Sequence, residues 1–314
     1  MLHITDEMVD SHVTAEQAQR VMQQAFESFG RGKAAMQERI RTDAEGIKLS
    51  TLGAVIPEQG VAGAKVYTTI AGQFSFVILL FSTQDGRPLA SLDAGAITRL
   101  RTAACSVVAA RHLARPDSRV LALFGAGTQG MAHARQLSSA LGLESILVCD
   151  PYAHAGLADE LSTQCGIPVR CASPEEAVGQ ADIVVTTSRS TTPLFSGSSL
   201  KPGTFIAAVG SSLPHTRELD DLALSRARTV VVEWRAQSLR EAGDLLLAAP
   251  EALPQSKIVE LADVVSGAPG ASRQGPDDII IYKSVGVGLE DIALAGLAYQ
   301  NIMGATRAAS PSAA

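Results

Sequence analysis

Residues 119–136 read RVLALFGAGTQGMAHARQ, an apolar run that breaks at Gly125, Gly127 and Gly130 and then passes into a helical pattern. The order is strand, tight turn, helix. Gly125 permits the turn, Gly127 lets backbone N–H groups approach a pyrophosphate, and Gly130 lets the new helix lie close to the strand. Thr128 and Gln129 continue the turn, and unpaired N–H groups at the helix start favour an anion there. Glycine spacing alone is a weak signal, because ordinary turns also use glycine. Its context strengthens it. A second apolar run, 146–149, ends in Asp150, at about the 20-residue interval of a carboxylate that binds a ribose hydroxyl.

Outward from this unit, 120–282 alternates strand and helix in the manner of a doubly wound parallel sheet. Runs 183–187, 205–209 and 230–232 read as further strands; a helix after Ala153 and one opened by Pro174-Glu175-Glu176 supply crossovers. The strand ends Thr186-Thr187-Ser188 and Gly210-Ser211-Ser212 fall where such sheets bind ligands, although loop serines and glycines equally serve plain turns. Runs 245–249 and 258–265 read as mostly helical. A final strand from Ile279 ends in a Gly/Ser turn and is followed by a helix, 292–303, that returns the chain to the first domain. The tail, 308–314, is small and polar and is expected to lack order.

The N-terminal third differs. Thr14-Ala15-Glu16-Gln17 has capping-box spacing, and Ala18, Val21, Met22, Ala25, Phe26 and Phe29 follow at helical intervals. Short β-type runs at 47–52, 64–69 and 74–81, closed by a turn at 82–86, predict an α+β unit with an antiparallel sheet. Isolated cations stand in this region: Arg39, Arg41, Lys48 and Lys65. Lys65, between Ala64 and Val66, either meets an anion or lies on the solvent face of a half-buried strand. Arg99 and Arg101 precede an alanine-rich helix; in its first turn, Arg101 and the helix N-terminus would hold a carboxylate together.

The chain is 46 % hydrophobic and 18 % charged, a globular composition that can bury one large core or two smaller ones, and its length of 314 residues favours two domains. A net charge of −6 without a basic run argues against nucleic-acid or anionic-membrane partners. There is no signal-peptide pattern and no apolar run of about 18 residues, so a cytoplasmic protein is expected. Cys105, Cys149, Cys165 and Cys171 share no CxxC spacing, which argues against a metal site and for buried, reduced thiols.

Taken together, 14–303 resembles the ornithine cyclodeaminase/mu-crystallin family. The resemblance is carried by Gly63-Ala64-Lys65-Val66, the turn Asp85-Gly86-Arg87-Pro88-Leu89-Ala90, Leu100-Arg101-Thr102-Ala103-Ala104, Gly125-Ala126-Gly127-Thr128-Gln129, Val209-Gly210-Ser211 with Arg217-Glu218-Leu219, and Lys283-Ser284-Val285-Gly286 with Glu290-Asp291. It implies a Rossmann-type NAD(P)-binding domain, 114–283, and an α+β substrate-binding and dimerisation domain, 1–113 with 284–314, completed by the C-terminal helix. It further implies a homodimer joined through the N-terminal domain, acting on amino or imino acids in the cleft between domains. Arg39, Lys65 and Arg101 take the places of substrate-carboxylate ligands. Gly125, Gly127, Thr128 and Gln129 would hold the pyrophosphate and Asp150 the ribose, with Thr187, Val209 and Gly286 on the nicotinamide side. Asp150 repels a 2′-phosphate, which favours NADH over NADPH.

The family's cyclodeaminases require two carboxylates, and Ala54 and Ser212 stand at those positions. The resemblance therefore implies a simpler reaction, reduction of Δ1-pyrroline-2-carboxylate or Δ1-piperideine-2-carboxylate to L-proline or L-pipecolate. Lys65 would bind the carboxylate and donate a proton, and Ser212 or its water would bond the imine nitrogen. His215 in the same loop is a further proton donor to weigh against a surface histidine. The alternatives are an ornithine cyclodeaminase, an alanine dehydrogenase-type oxidoreductase, and a non-enzymatic mu-crystallin-like protein that binds a small ligand.

Overall fold

In the computed structural model, which describes residues 1–309, the strand that leads into the glycine turn is Val120–Phe124 and the helix that leaves it is Thr128–Leu141. They belong to an eight-stranded parallel sheet in the order Val169–Cys171, Ser145–Cys149, Val120–Phe124, Ile183–Thr186, Phe205–Ala208, Ile279–Lys283, Ala227–Val232, Ile258–Glu260. From Val120–Phe124 the chain winds outward in one direction and restarts on the other side with Ile183–Thr186. The glycine turn thus lies at the reversal of strand order, where sheets of this kind bind ligands. Ile183–Thr186 and Phe205–Ala208 are buried throughout, as befits strands covered on both faces. Crossover helices begin at defined caps: Ser173 Oγ accepts from Glu176 N, and the Asp220 carboxylate accepts from Ala223 N.

The α/β class is the one expected from the sequence, with local differences. Ile258–Glu260 is an edge strand paired to Val230, Val231 and Val232, and only Leu261–Val265 is helical. Three residues leading straight into a helix carry no periodicity of their own, whereas β-branched Ile258 and Val259 suit a sheet edge. Cys105 and Cys149 are buried thiols, but Cys165 is half-buried and Cys171 exposed.

The chain forms two compact units, Met1–Ala104 with the segment from Val287, and Cys105–Gly286. The first is built on a seven-stranded sheet in the order Leu2–Ile4, Pro88–Asp93, Gln73–Ser82, Val61–Ile70, Ile47–Ile56, Ala35–Met36, with Ile40–Ala44 also paired to Ile47–Ile56. It is antiparallel except where Leu2–Ile4 runs parallel to Pro88–Asp93. Helix Ala15–Gly30 opens on the expected capping box, Gln17 N donating to Thr14 Oγ1 and Thr14 N to Gln17 Oε1. The last helix, Gly288–Ala309, packs on the inner face of this sheet and is longer than expected at both ends. It takes in Ala308 and Ala309 of the predicted unstructured tail, whose remainder, 310–314, lies outside the described residues.

Two close approaches seat that helix. A Cβ on Gly288 would fall 2.4 Å from the Gly53 carbonyl oxygen, and one on Gly296 would fall 3.0 Å from Val61 Cγ2. Glycine lets the helix start press backbone to backbone on the strand Ile47–Ile56, next to Lys65 in the adjacent strand.

Candidate active site

In the first unit, strand alternation decides where Lys65 points. Lys65 pairs with Leu52 on one side and Ile78 on the other, both buried, so its side chain shares their inner face. It is 3 % exposed. A lysine so placed needs partners, and it has them: Nζ donates to Thr98 Oγ1 at 2.6 Å and to Asp291 Oδ1 at 3.3 Å, and lies 4.6 Å from the centre of the Phe76 ring. Burial pushes its pKa down to about 8, against the opposing attraction of Asp291.

Arg101 joins the same group. It is 7 % exposed, and its Nε donates to Asp291 Oδ1 at 3.2 Å while Nη1 donates to Glu290 Oε2 at 2.5 Å. The helix carrying it begins at Gly95, so Arg101 lies well past the first turn and not at the N-terminus expected from sequence. Asp6 sets that start, its Oδ1 accepting from Ala96 N at 2.8 Å. Arg39 is half-buried, and its charge acts on both Lys65 and Asp291. The three predicted carboxylate ligands thus converge. Lys48 and Arg99 do not: they pair on the surface with Asp43 and Asp10.

Glu290 and Asp291, both wholly buried, are the residues to which the sequence reading gave no role. Burial would raise the Asp291 carboxyl, but the charges of Lys65 and Arg101 outweigh this and hold it below the usual carboxylate range. Both lie in the first turn of Gly288–Ala309, where the helix dipole also favours an anion. The site therefore holds two carboxylates of its own, at positions other than those of Ala54 and Ser212. The signal was present in the sequence: two adjacent acids open an apolar helix, the same kind of anomaly that singles out Lys65.

In the second unit, the predicted cofactor residues gather at the carboxyl edge of the parallel sheet. Gly125 has φ +85°, and its N–H donates to Cys149 O at 3.1 Å. A Cβ on Gly130 would fall 2.0 Å from Gly125 O, so helix and turn touch through backbone alone. Helix Thr128–Leu141 has no side-chain cap at Gly127, and a Cβ there would meet nothing within 4 Å. A helix start without a side-chain cap, beside an unobstructed glycine, fits a pyrophosphate. Thr187 Oγ1 donates to Gly125 O at 2.8 Å, and Val209 N donates to Thr186 O at 2.9 Å. Asp150 braces the turn itself, Oδ2 accepting from Ala126 N at 2.7 Å and Oδ1 from Tyr152 N at 2.8 Å.

Buried acids organise the remaining strand ends. Glu233 accepts from Ser284 Oγ at 2.5 Å, Val285 N at 2.8 Å and Gly286 N at 3.1 Å, fixing the turn that contains Gly286. Glu218 accepts from Thr186 Oγ1, from Ser188 N and Oγ, and from Gly210 N and Ser211 N. Ser212 follows this bracket on a half-buried loop, and His215 is exposed.

Fold and site together define a two-unit α/β protein with a dinucleotide-type glycine turn in one unit and a buried cation–carboxylate cluster in the other. The chain belongs to the ornithine cyclodeaminase/mu-crystallin family, whose model matches residues 1–306. It is 35 % identical over 264 residues to a Delta(1)-pyrroline-2-carboxylate reductase of Bacillus cereus, covering 82 % of this chain and 77 % of that protein. Among solved structures it is similar to a probable ornithine cyclodeaminase from Bordetella pertussis Tohama I, at 64 % identity and TM-score 0.95 over 98 % of both chains. It also resembles the Thermococcus litoralis Delta(1)-pyrroline-2-carboxylate reductase in complex with NADH and L-proline, at 28 % identity and TM-score 0.90 over 98 % of both chains. Among the described residues no helix is long and apolar enough to cross a membrane.

Proposed function

We propose that this protein is an NADH-dependent reductase of cyclic imino acids, converting Δ1-pyrroline-2-carboxylate or Δ1-piperideine-2-carboxylate to L-proline or L-pipecolate. The observation that carries this reading is the gathering of three cations at one place: Lys65 and Arg101 share the Asp291 carboxylate, and the charge of Arg39 acts on both Lys65 and Asp291. A cluster of cations suits a substrate that carries a carboxylate. Lys65 Nζ donates to Thr98 and Asp291, and an ammonium has a third hydrogen that would serve the substrate carboxylate. Orientation is most of what the protein supplies, because a protonated imine is already electrophilic.

Gly125, Gly127, Thr128 and Gln129 would hold the cofactor's pyrophosphate, and Asp150 its ribose, with Thr187, Val209 and Gly286 beside the nicotinamide. Bound NADH supplies the hydride. In that role the Asp150 carboxylate would repel a 2′-phosphate, which favours NADH over NADPH. Ser212 supplies a hydroxyl for the imine nitrogen, directly or through water.

Ornithine cyclodeamination is the second reading, favoured by the 64 % identity to the Bordetella pertussis protein. Against it, Asp291 and Glu290 are already engaged by Lys65 and Arg101, and neither Ala54 nor Ser212 offers a carboxylate to a distal ammonium. Parallel assays decide. NADH oxidation with each cyclic imine, faster than with NADPH or with pyruvate plus ammonia, is expected. No turnover of either imine, alongside ammonia release from ornithine, overturns the assignment; NADH binding without any turnover supports a ligand-binding role.

We also infer a homodimer formed through the first unit. The outer face of its sheet exposes Ile47, Leu49, Val55, Val77 and Phe81, apolar side chains that a monomer would leave in water. Sedimentation at micromolar concentration is expected to give twice the 32.7 kDa chain mass, and a monomer there removes the inference.

A further inference from the structure

We propose that Asp291 is the positioning residue of the candidate site, its carboxylate holding Lys65 as an ammonium beside Arg101. The proposal rests on the imino-acid reductase reading for its catalytic consequence, but the charge state of Lys65 is measurable without substrate.

Two buried cations and the half-buried Arg39 oppose one another. Arg101 and Arg39 both work against the charge on Lys65, and at 3 % exposure little water offsets them. Thr98 Oγ1 and the Phe76 ring favour the ammonium but carry no net charge. Glu290 is committed to Arg101 Nη1. Asp291 Oδ1 is shared, accepting from Lys65 Nζ and from Arg101 Nε. The carboxylate is well suited to the task, since it stays ionised below the usual range and sits on a helix start that Gly288 fixes against Gly53. With Lys65 titrating at about 8, the cation is present at neutral pH and is lost as pH rises through that value. Removing an opposite charge at this range withdraws about one to three pH units of support, enough to carry the midpoint below neutrality.

The test follows the lysine 13Cε resonances with pH, Lys65 being assigned by its disappearance in Lys65→Met. Asp291→Asn is expected to lower the Lys65 midpoint by about one unit or more. Glu290→Gln is expected to move it less, and Asp291→Glu to restore it to near the wild-type value. In parallel, the alkaline limb of kcat/KM for the cyclic imine should move down by the same amount in Asp291→Asn, with NADH affinity unchanged. A merely structural role would lower activity by one factor at every pH. If Asp291→Asn does not fold, the comparison is made between Arg101→Gln and Arg101→Gln/Asp291→Asn, which neutralises the buried pair together. An unmoved Lys65 midpoint in the Asp291→Asn protein, or in that double variant, overturns the proposal. A moved midpoint in a protein that reduces neither imine upholds the role of Asp291 and overturns the reductase reading instead.

Discussion

Lys65→Met is expected to lower kcat/KM for the cyclic imine by about two to three orders of magnitude while leaving NADH affinity unchanged. Methionine keeps the unbranched stem and removes only the ammonium, so the inner face of the sheet stays filled. What is lost is a desolvated charge pairing with the substrate carboxylate, typically about 2–5 kcal/mol when one partner is truncated. At about 1.4 kcal/mol per tenfold, that range spans the predicted loss. The fold should tolerate the change, because Asp291 keeps Arg101 Nε at 3.2 Å and the chain is relieved of an ammonium buried at 3 % exposure. Steady-state kinetics, with NADH binding followed by its fluorescence, makes the comparison. Full activity in Lys65→Met would take Lys65 out of the site and with it the reading of the cluster as a carboxylate clamp.

How much of this was legible in the sequence follows from how local each signal is. The glycine turn and the cap at Thr14 are written within a few residues, and both stand where expected. Lys65 stands out because an ammonium between Ala64 and Val66 needs either an anion or a solvent-facing position, and the structure gives it the anion. The partners that explain it were out of reach, since Asp291 lies 226 residues along the chain from Lys65 and 190 from Arg101. The start of helix Gly95–Leu113 was hidden for the same reason: its N-terminal amide is capped by Asp6, 90 residues away. Strand Pro88–Asp93 was concealed by the turn that precedes it, and its pairing with Leu2–Ile4 is again long-range. The missed acids share one property. Each acts through a contact that only the tertiary fold creates.

The same holds for the pair that should matter most to stability. Lys283→Met is expected to destabilise the second unit by about 3–5 kcal/mol, the usual cost of leaving a buried charge without its partner. Lys283 and Asp244 are both wholly buried, 2.9 Å apart, and Lys283 Nζ also donates to Ala208 O at 3.1 Å. Asp244 Oδ1 meanwhile accepts from Glu218 N at 2.7 Å and Leu219 N at 2.9 Å, and Glu218 in turn binds the chain at Thr186, Ser188, Gly210 and Ser211. One lysine therefore answers for two buried carboxylates that tie together the ends of Ile183–Thr186, Phe205–Ala208 and Ile279–Lys283. For a unit of this size each kcal/mol moves the midpoint by about 2–4 °C, so thermal unfolding should fall by roughly 6–20 °C. Asp244→Asn keeps an oxygen for the two amides while removing the charge. Lys283→Met/Asp244→Asn should then be more stable than the sum of the single changes predicts, by about 1–3 kcal/mol, because each single variant strands a charge that the double variant does not. Denaturant unfolding of the four proteins measures this coupling. Simple additivity would mean that the pair contributes through its separate hydrogen bonds to Ala208, Glu218 and Leu219, and that the buried charges themselves are not what holds the strand ends in place.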